Sequence, residues 1–263
     1  MTDVALSSLT SARAKRAVLP DLVRSEWSKL RTVRSTYWSL LAAVAAMIGL
    51  GAIISAAQSS HQAAFDPVST SLSGVLLAQL AIGVLGVLFV TSEYSTGMIR
   101  TTFTAAPQRR SVIGAKAAVF AGAALIVGTV TSFVTFLVGQ SVLSGHSVSL
   151  ASPGALRSVI GVGLYLGLLG IFAVGLATII RSTAGAIAAL FGLILVVPAI
   201  AQALPTSIRD SIDKFLPGNA GQAIFHTIRD TSTLSPWAGL GVFALYAAAA
   251  LTAGLVLVKR RDV

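Results

Sequence analysis

Between Arg34 and Asp66 the chain carries no charged residue. The same holds from Asp66 to Glu93, Lys116 to Arg157, Arg157 to Arg181, Arg181 to Arg209 and Asp230 to Lys259. A helix needs about 20 apolar residues to cross the hydrocarbon core of a bilayer, and each of these intervals can hold one. Only 11% of the 263 residues are charged, against roughly a quarter in a soluble domain. The ten-residue alternating segments of a β-barrel are absent. The expectation is an all-α integral membrane protein with a single six-helix transmembrane domain over residues 37–263. Its spans fall near 37–57, 72–92, 117–139, 159–180, 183–204 and 237–258. Residues 140–153, rich in Ser and Gly, read as a loop or a short surface helix.

Under six spans, all but four of the 19 basic residues gather at one end. The four exceptions, Arg157, Arg209, Lys214 and Arg229, are balanced by Asp66, Asp210, Asp213 and Asp230 at the other end. The positive-inside bias therefore predicts a multi-pass protein of the cell membrane with both termini cytoplasmic. The net charge of +10 is then explained by contact with anionic membrane lipids, without nucleic acid.

Several chemistries are excluded by what is missing. Cysteine is absent, which rules out disulfides and thiolate metal sites. His61, His146 and His226 lack metal-ligand spacing. No G-x-x-x-x-G-K-[ST] run occurs, so the chain has no P-loop for ATP, is not itself an ATPase and is expected to bind no cofactor. No carboxylate pair or Arg–Asp relay is evident inside the spans, where an ion-coupled carrier often places ionisable groups. The energy for any transport is expected from another chain.

Residues 1–19 read as a mobile cytoplasmic tail, and the N-terminal region lacks the pattern of a signal peptide. Over 20–36, Pro20 and Asp21 open a helix in which Val23, Trp27, Leu30, Val33 and Tyr37 make one apolar stripe. Arg24, Lys29, Arg31 and Arg34 decorate the rest, the pattern of an amphipathic interfacial helix. Small residues recur along span four (Gly161, Gly163, Gly167, Gly170) and span five (Ala184, Gly185, Ala188, Ala189, Gly192), which predicts close helix packing. Pro198 predicts a kink. The mixed segment 205–236 reads as short outer-face helices, with Ile208, Ile212 and Phe215 on one face.

The stretch SEYSTGMIRTTFTAAPQRR, residues 92–110, breaks two apolar runs with polar groups. Glu93 is placed to sit at the positive end of a short helix. Tyr94, Met98 and Thr102 share one face, and Ile99, Phe103 and Ala106 a neighbouring one. Gly97 allows a close backbone approach, and Pro107 ends the element. A short helix joined to two spans suits the transmission of a push from a soluble motor. It equally suits a plain connector, or a non-transporting membrane anchor or sensor that recruits a cytoplasmic partner. The residues alone leave these readings open.

The order E-W-S-K-L-R-T-V-R-S-T-Y-W at 26–38, S-E-Y-S-T-G-M-I-R-T-T-F at 92–103, A-A-P-Q-R-R at 105–110 and K-A at 116–117 resembles the permease subunits of ABC-2 type exporters, particularly short actinobacterial-style ones. The resemblance implies that residues 93–108 form a coupling helix seated in a cleft of a separate ABC ATPase, which would hold ATP and Mg. Glu93, Tyr94, Gly97, Met98, Arg100, Thr102 and Phe103 would then carry the coupling. It also implies a second permease copy or a homologous one, with the substrate path between them. Gln79, Thr129, Thr131, Ser132, Thr135 and Gln202 are the polar candidates for that path, which would suit a hydrophobic or amphipathic compound.

Overall fold

The computed structural model describes residues 20–32, 34–59, 65–105, 108–143, 145–228 and 233–260. Residues 20–32 form α1. They are followed by α2 (Arg34–Ser59), α3 (Pro67–Ser71), α4 (Val75–Ser95), α5 (Met98–Ala105), α6 (Arg109–Val142) and α7 (Ala155–Ile180). α8 (Thr183–Ala201), α9 (Thr206–Ile212), α10 (Pro217–Gln222) and α11 (Pro236–Arg260) complete the order. Six of these, α2, α4, α6, α7, α8 and α11, are long and apolar enough to cross a membrane, and no strand occurs among the described residues. The fold is an all-α integral membrane bundle, as the charge-free intervals predict.

α7 is the hub, packed against α6, α11 and α4. Its glycines permit this. A Cβ at Gly175 would lie 2.7 Å from the backbone of Ala250 and Leu251 on α11, and one at Gly170 would lie 2.9 Å from the Phe120 ring on α6. Lipid tails are as apolar as Leu, so close van der Waals approach of this kind holds spans together. Around Tyr165, the rings of Phe225 and Phe243 close at centroid distances of 5.3 and 5.1 Å.

Two spans depart from the simple pattern. α6 is one helix of 34 residues, about 50 Å at 1.5 Å per residue, and overruns a hydrocarbon core of about 30 Å. It begins at Arg109 rather than near 117, so its first turns carry Arg109, Arg110 and Lys116. α8 contains a π turn at Gly192–Val196, where the Val197 amide donates to Gly192 five residues back. Pro198 follows at once and has no N–H to offer, so the ladder shifts locally.

The amphipathic segment is helical, and its expected apolar stripe is divided between two sides. Val23, Trp27 and Tyr37, three of the predicted stripe, point away from the bundle and are 39%, 43% and 49% exposed. Leu22 and Leu30 pack on the core, and Glu26 between them is buried. Leu30 of the stripe thus turns to the bundle together with the carboxylate of Glu26, while Val23, Trp27 and Tyr37 stay exposed. Val33 and the tail at 1–19 lie outside the described residues.

At the end of the bundle opposite α1, the chain is stitched by hydrogen bonds. Asp66 caps α3 by accepting from the amides of Val68 (3.0 Å) and Ser69 (3.2 Å). It also accepts from the Thr227 hydroxyl (2.7 Å), the Thr227 amide (2.7 Å) and the Ile228 amide (3.3 Å). Burial opposes the charge on Asp66, yet these bonds outweigh it and hold the carboxyl below its usual value. Gln140 donates to Pro67 O and Ser71 Oγ and accepts from the Val148 amide. The segment after α8 forms the expected short helices. Ile208, Ile212 and Phe215 stay about half exposed, whereas Ala220, Ile224 and Phe225 of its second half are buried in the bundle.

Candidate functional site

Four charged side chains meet where α1, α4 and α6 converge. The Lys116 ammonium lies 2.7 Å from Glu26 Oε2 and 2.6 Å from Glu93 Oε1. Lys29 lies 2.6 Å from Glu26 Oε1 and 2.9 Å from the same Glu93 Oε1. Lys116, Glu26 and Glu93 are buried, and only Lys29 reaches the surface. Lys116 also sits 4.6 Å from the Phe89 ring centroid, a cation–π contact strengthened by the absence of water. Burial works against the Lys29 charge, but its bonds to Glu26 and Glu93 prevail and hold it above the usual lysine value.

Each element has a local reason to deliver its residue. Leu22, Glu26 and Leu30 fall at four-residue steps on one face of α1, so seating Leu22 and Leu30 on the core carries Glu26 inward. Glu93 lies in the last turn of α4, which ends at Ser95. Lys116 is two turns into α6, between the buried Ala115 and Ala117. Two carboxylates and two ammoniums cancel, which is the condition for burying charge at all. The result is an ion-paired joint between the amphipathic helix and two spans.

α5 hangs directly from this joint. Thr96 caps α4, its amide donating to Ser92 O, and Gly97 turns the chain at φ +72°. That conformation favours glycine. A Cβ at Gly97 would meet nothing within 4 Å, so the glycine serves the turn and leaves an open surface beside it. Ile99 is buried and pins α5 to the bundle, while Met98 is 50% exposed and Thr101 and Thr104 face outward. Thr102 is partly buried, its hydroxyl donating to Met98 O at 3.1 Å. Tyr94 is half-buried under the Arg181 guanidinium, 5.4 Å from its ring centroid. The side chains of Arg100 and Phe103, and residues 106 and 107, lie outside the described ones.

The structure corrects one detail of the sequence reading. Glu93 does not open the short helix: it belongs to α4, points into the bundle and is ion-paired within the chain. The expectation of no carboxylate pair concerns the inside of the spans; Glu93, in the last turn of α4, pairs across Lys116 with Glu26 of α1, which is not a span. Glu26, Lys29 and Lys116 were missed because each looks like one more interfacial charge. The signal was available, since a lone acid between Leu22 and Leu30 at helical spacing must face inward with them.

The six polar span residues are not drawn together within this chain. Gln79 is buried on α4, accepting from the Tyr165 hydroxyl at 2.6 Å and from Gln222 at 3.3 Å. Ser132 bonds backbone carbonyls of Thr129 and Val159. Thr135 and Thr129 bond carbonyls four residues back, and Thr131 is buried. Gln202 is exposed at the far end, 3.4 Å from Asp213. Thr129 and Gln202 alone keep an outward aspect.

A family model described as ABC-2 family transporter protein matches residues 22–203, from α1 through the end of α8. The chain belongs to the ABC-2 transporter family. The matched region contains the four-charge joint and α5. With six spanning helices it is the membrane component of such a transporter, the part that works with an ABC ATPase rather than the catalytic part. No curated protein matches the chain.

Proposed function

We propose that the chain is the membrane-spanning subunit of an ATP-driven exporter, with the α1 end in the cytoplasm of the cell and α5 as its contact with a separate ATPase. The observation that carries this reading is the hinge at Gly97. It projects α5, with Met98 and Thr102 on its surface, from a joint that ties α1, α4 and α6 into one body. A push on α5 has a stiff route into two spans at once. The charge asymmetry supports the orientation: Arg109, Arg110, Arg181, Lys259 and Arg260 share this end with α1. ATP and Mg would belong to the partner, since the chain lacks a P-loop.

Within this reading, Tyr94, Gly97, Met98, Arg100, Thr102 and Phe103 shape the docked element, and Glu93 acts from inside as its anchor. The outward stripe Ala184, Ala188 and Gly192 on α8 suits close approach of a second permease copy, with a hydrophobic or amphipathic compound passing between copies. Thr129 and Gln202 are the polar residues best exposed to such a path.

The test is reconstitution. The purified chain should hydrolyse no ATP, and a co-expressed P-loop ATPase should co-purify with it and be stimulated by it. In intact cells, a cysteine at Ile228 should react with an impermeant thiol reagent and one at Gln108 should not. Labelling at Gln108 from outside would overturn the orientation. An anchor or sensor predicts a partner whose ATP hydrolysis ignores the chain.

A further inference from the structure

The short link between α7 and α8 holds a strained residue. Arg181 caps α7 at φ 60° and ψ 7°, in the left-handed region, and among the described residues it is the only non-glycine with a positive φ. A residue with a Cβ adopts that conformation at a cost, and such strain persists only where the surroundings enforce it. Here the surroundings are the last turns of α4. The guanidinium lies 5.4 Å from the Tyr94 ring centroid, and two residues on, the Thr183 hydroxyl donates to that of Thr91 at 2.9 Å. Glu93 and Tyr94 are neighbours, so the end of α4 that bears α5 is held from two sides. The ion-paired joint grips one, and the start of α8 grips the other.

The grip on the α8 side has costs as well as gains. Arg181 Nε and Nη2 are buried without a hydrogen-bond partner, and so is the Tyr94 hydroxyl. No carboxylate pairs with Arg181 among the described residues. The unmade hydrogen bonds and the left-handed backbone oppose the contact. The cation–π attraction, strengthened where water is excluded, and the threonine pair favour it. Release would hydrate the guanidinium and the phenol, and so remove the costs together with the gains. Opposed terms of similar size leave two arrangements close in free energy, which is what a switchable element needs. α8 also has a point to turn on. Leu190, two turns beyond Thr183, is fully buried against Gly83, where a Cβ would lie 2.6 Å from its side chain. The π turn at Gly192–Val196 follows directly.

We propose that Arg181 and Tyr94 form a releasable catch that carries displacement of α5 to α8. Docked, the catch holds the start of α8 against α4. When α5 is pushed, the last turn of α4 withdraws the Tyr94 ring, Arg181 turns out to water and Thr183 parts from Thr91. The proposal rests on the exporter reading, in which α8 faces the second permease copy, and supplies the route by which the motor reaches that face.

The test uses the chain in nanodiscs with its co-expressed ATPase. The chain has no cysteine, so Thr91→Cys with Thr183→Cys makes a single pair. Hydroxyls 2.9 Å apart put the two sulfurs within disulfide reach. Oxidation should be fast without nucleotide and several-fold slower with ATP trapped by vanadate. The oxidised pair should keep the ATPase bound but lose the chain's stimulation of its hydrolysis, and reduction should restore it. Arg181→Gly suits the left-handed turn but removes the cation, and with it the oxidation rate should cease to depend on nucleotide. Arg181→Lys keeps a cation for the ring and should retain most of that dependence, which a merely structural turn would not require. An oxidation rate indifferent to nucleotide in the chain with Arg181 intact, or full stimulation by the oxidised pair, would overturn the catch and leave the exporter reading standing. A reduced protein that binds the ATPase but never stimulates it would overturn that reading, and the catch with it.

Discussion

The two ends of this bundle are held by different physics. At the α1 end, three helices meet on two buried ion pairs that share Lys116. At the other end, Asp66 gathers hydrogen bonds from α3 and from Thr227 and Ile228, with no cation paired to it among the described residues. Buried ion pairs are costly to assemble and poor as net stabilisers, but losing one partner is severe because the other charge is stranded. A capped carboxylate at a surface loses only its bonds. The α1 end therefore behaves as an all-or-none joint, suited to transmitting force, and the far end as a seam that can loosen by degrees.

The largest effect should come from stranding charge. Lys116→Met leaves Glu26 and Glu93 buried together and should cost about 3–5 kcal/mol, measured as thermal or denaturant unfolding in detergent. Replacing all three at once, Glu26→Gln, Glu93→Gln and Lys116→Met, should recover most of that loss. If the single change costs under about 1 kcal/mol, the joint is not buried in the way described.

The far end should respond less, and with a pH signature. Asp66→Asn removes the charge from the hydrogen-bonded cap and should cost about 1–3 kcal/mol near neutral pH. The Asp66 carboxyl is held below its ordinary value, so its contribution is present above the unfolded-state value and is lost as pH falls through the folded one. Stability of the unaltered protein should therefore drop below about pH 4, and Asp66→Asn should flatten that limb. A parallel loss in both proteins would remove Asp66 from the account.

A smaller effect is expected at the hinge. Gly97→Ala meets open space and suffers only from the left-handed backbone, about 1 kcal/mol. Unfolding measurements should show that modest loss. A loss as large as that of Lys116→Met would mean that the turn is part of the joint.

Much of the fold was legible because charge is scarce in this chain. Every charge-free interval became a span, and the glycines of span four became contacts of α7. The joint was not legible as a site, because the basic end is crowded with cations and an ion-paired Lys116 looks like Arg109 or Arg110. Only the tertiary arrangement shows that α6 starts early enough to bury it. The position of Glu93 was misread for a related reason. Its charge suggested the start of a polar helix, but the break comes four residues later, where Gly97 permits the turn. Asp66 followed by Pro67 was readable as a cap and first turn. Its bonds to Thr227 and Ile228, some 160 residues away, were not.

The central claim is that α5, and not the opposite end, meets the motor. The direct measurement is disulfide or bifunctional crosslinking of single cysteines to a co-expressed ATPase in membranes, with and without nucleotide. Thr102→Cys should crosslink, with a yield that changes between nucleotide-free and ATP-bound conditions, and Ile228→Cys should give no ATPase product. An ATPase adduct at Ile228, or none at Thr102 under every nucleotide condition while the two proteins still co-purify, would contradict the account.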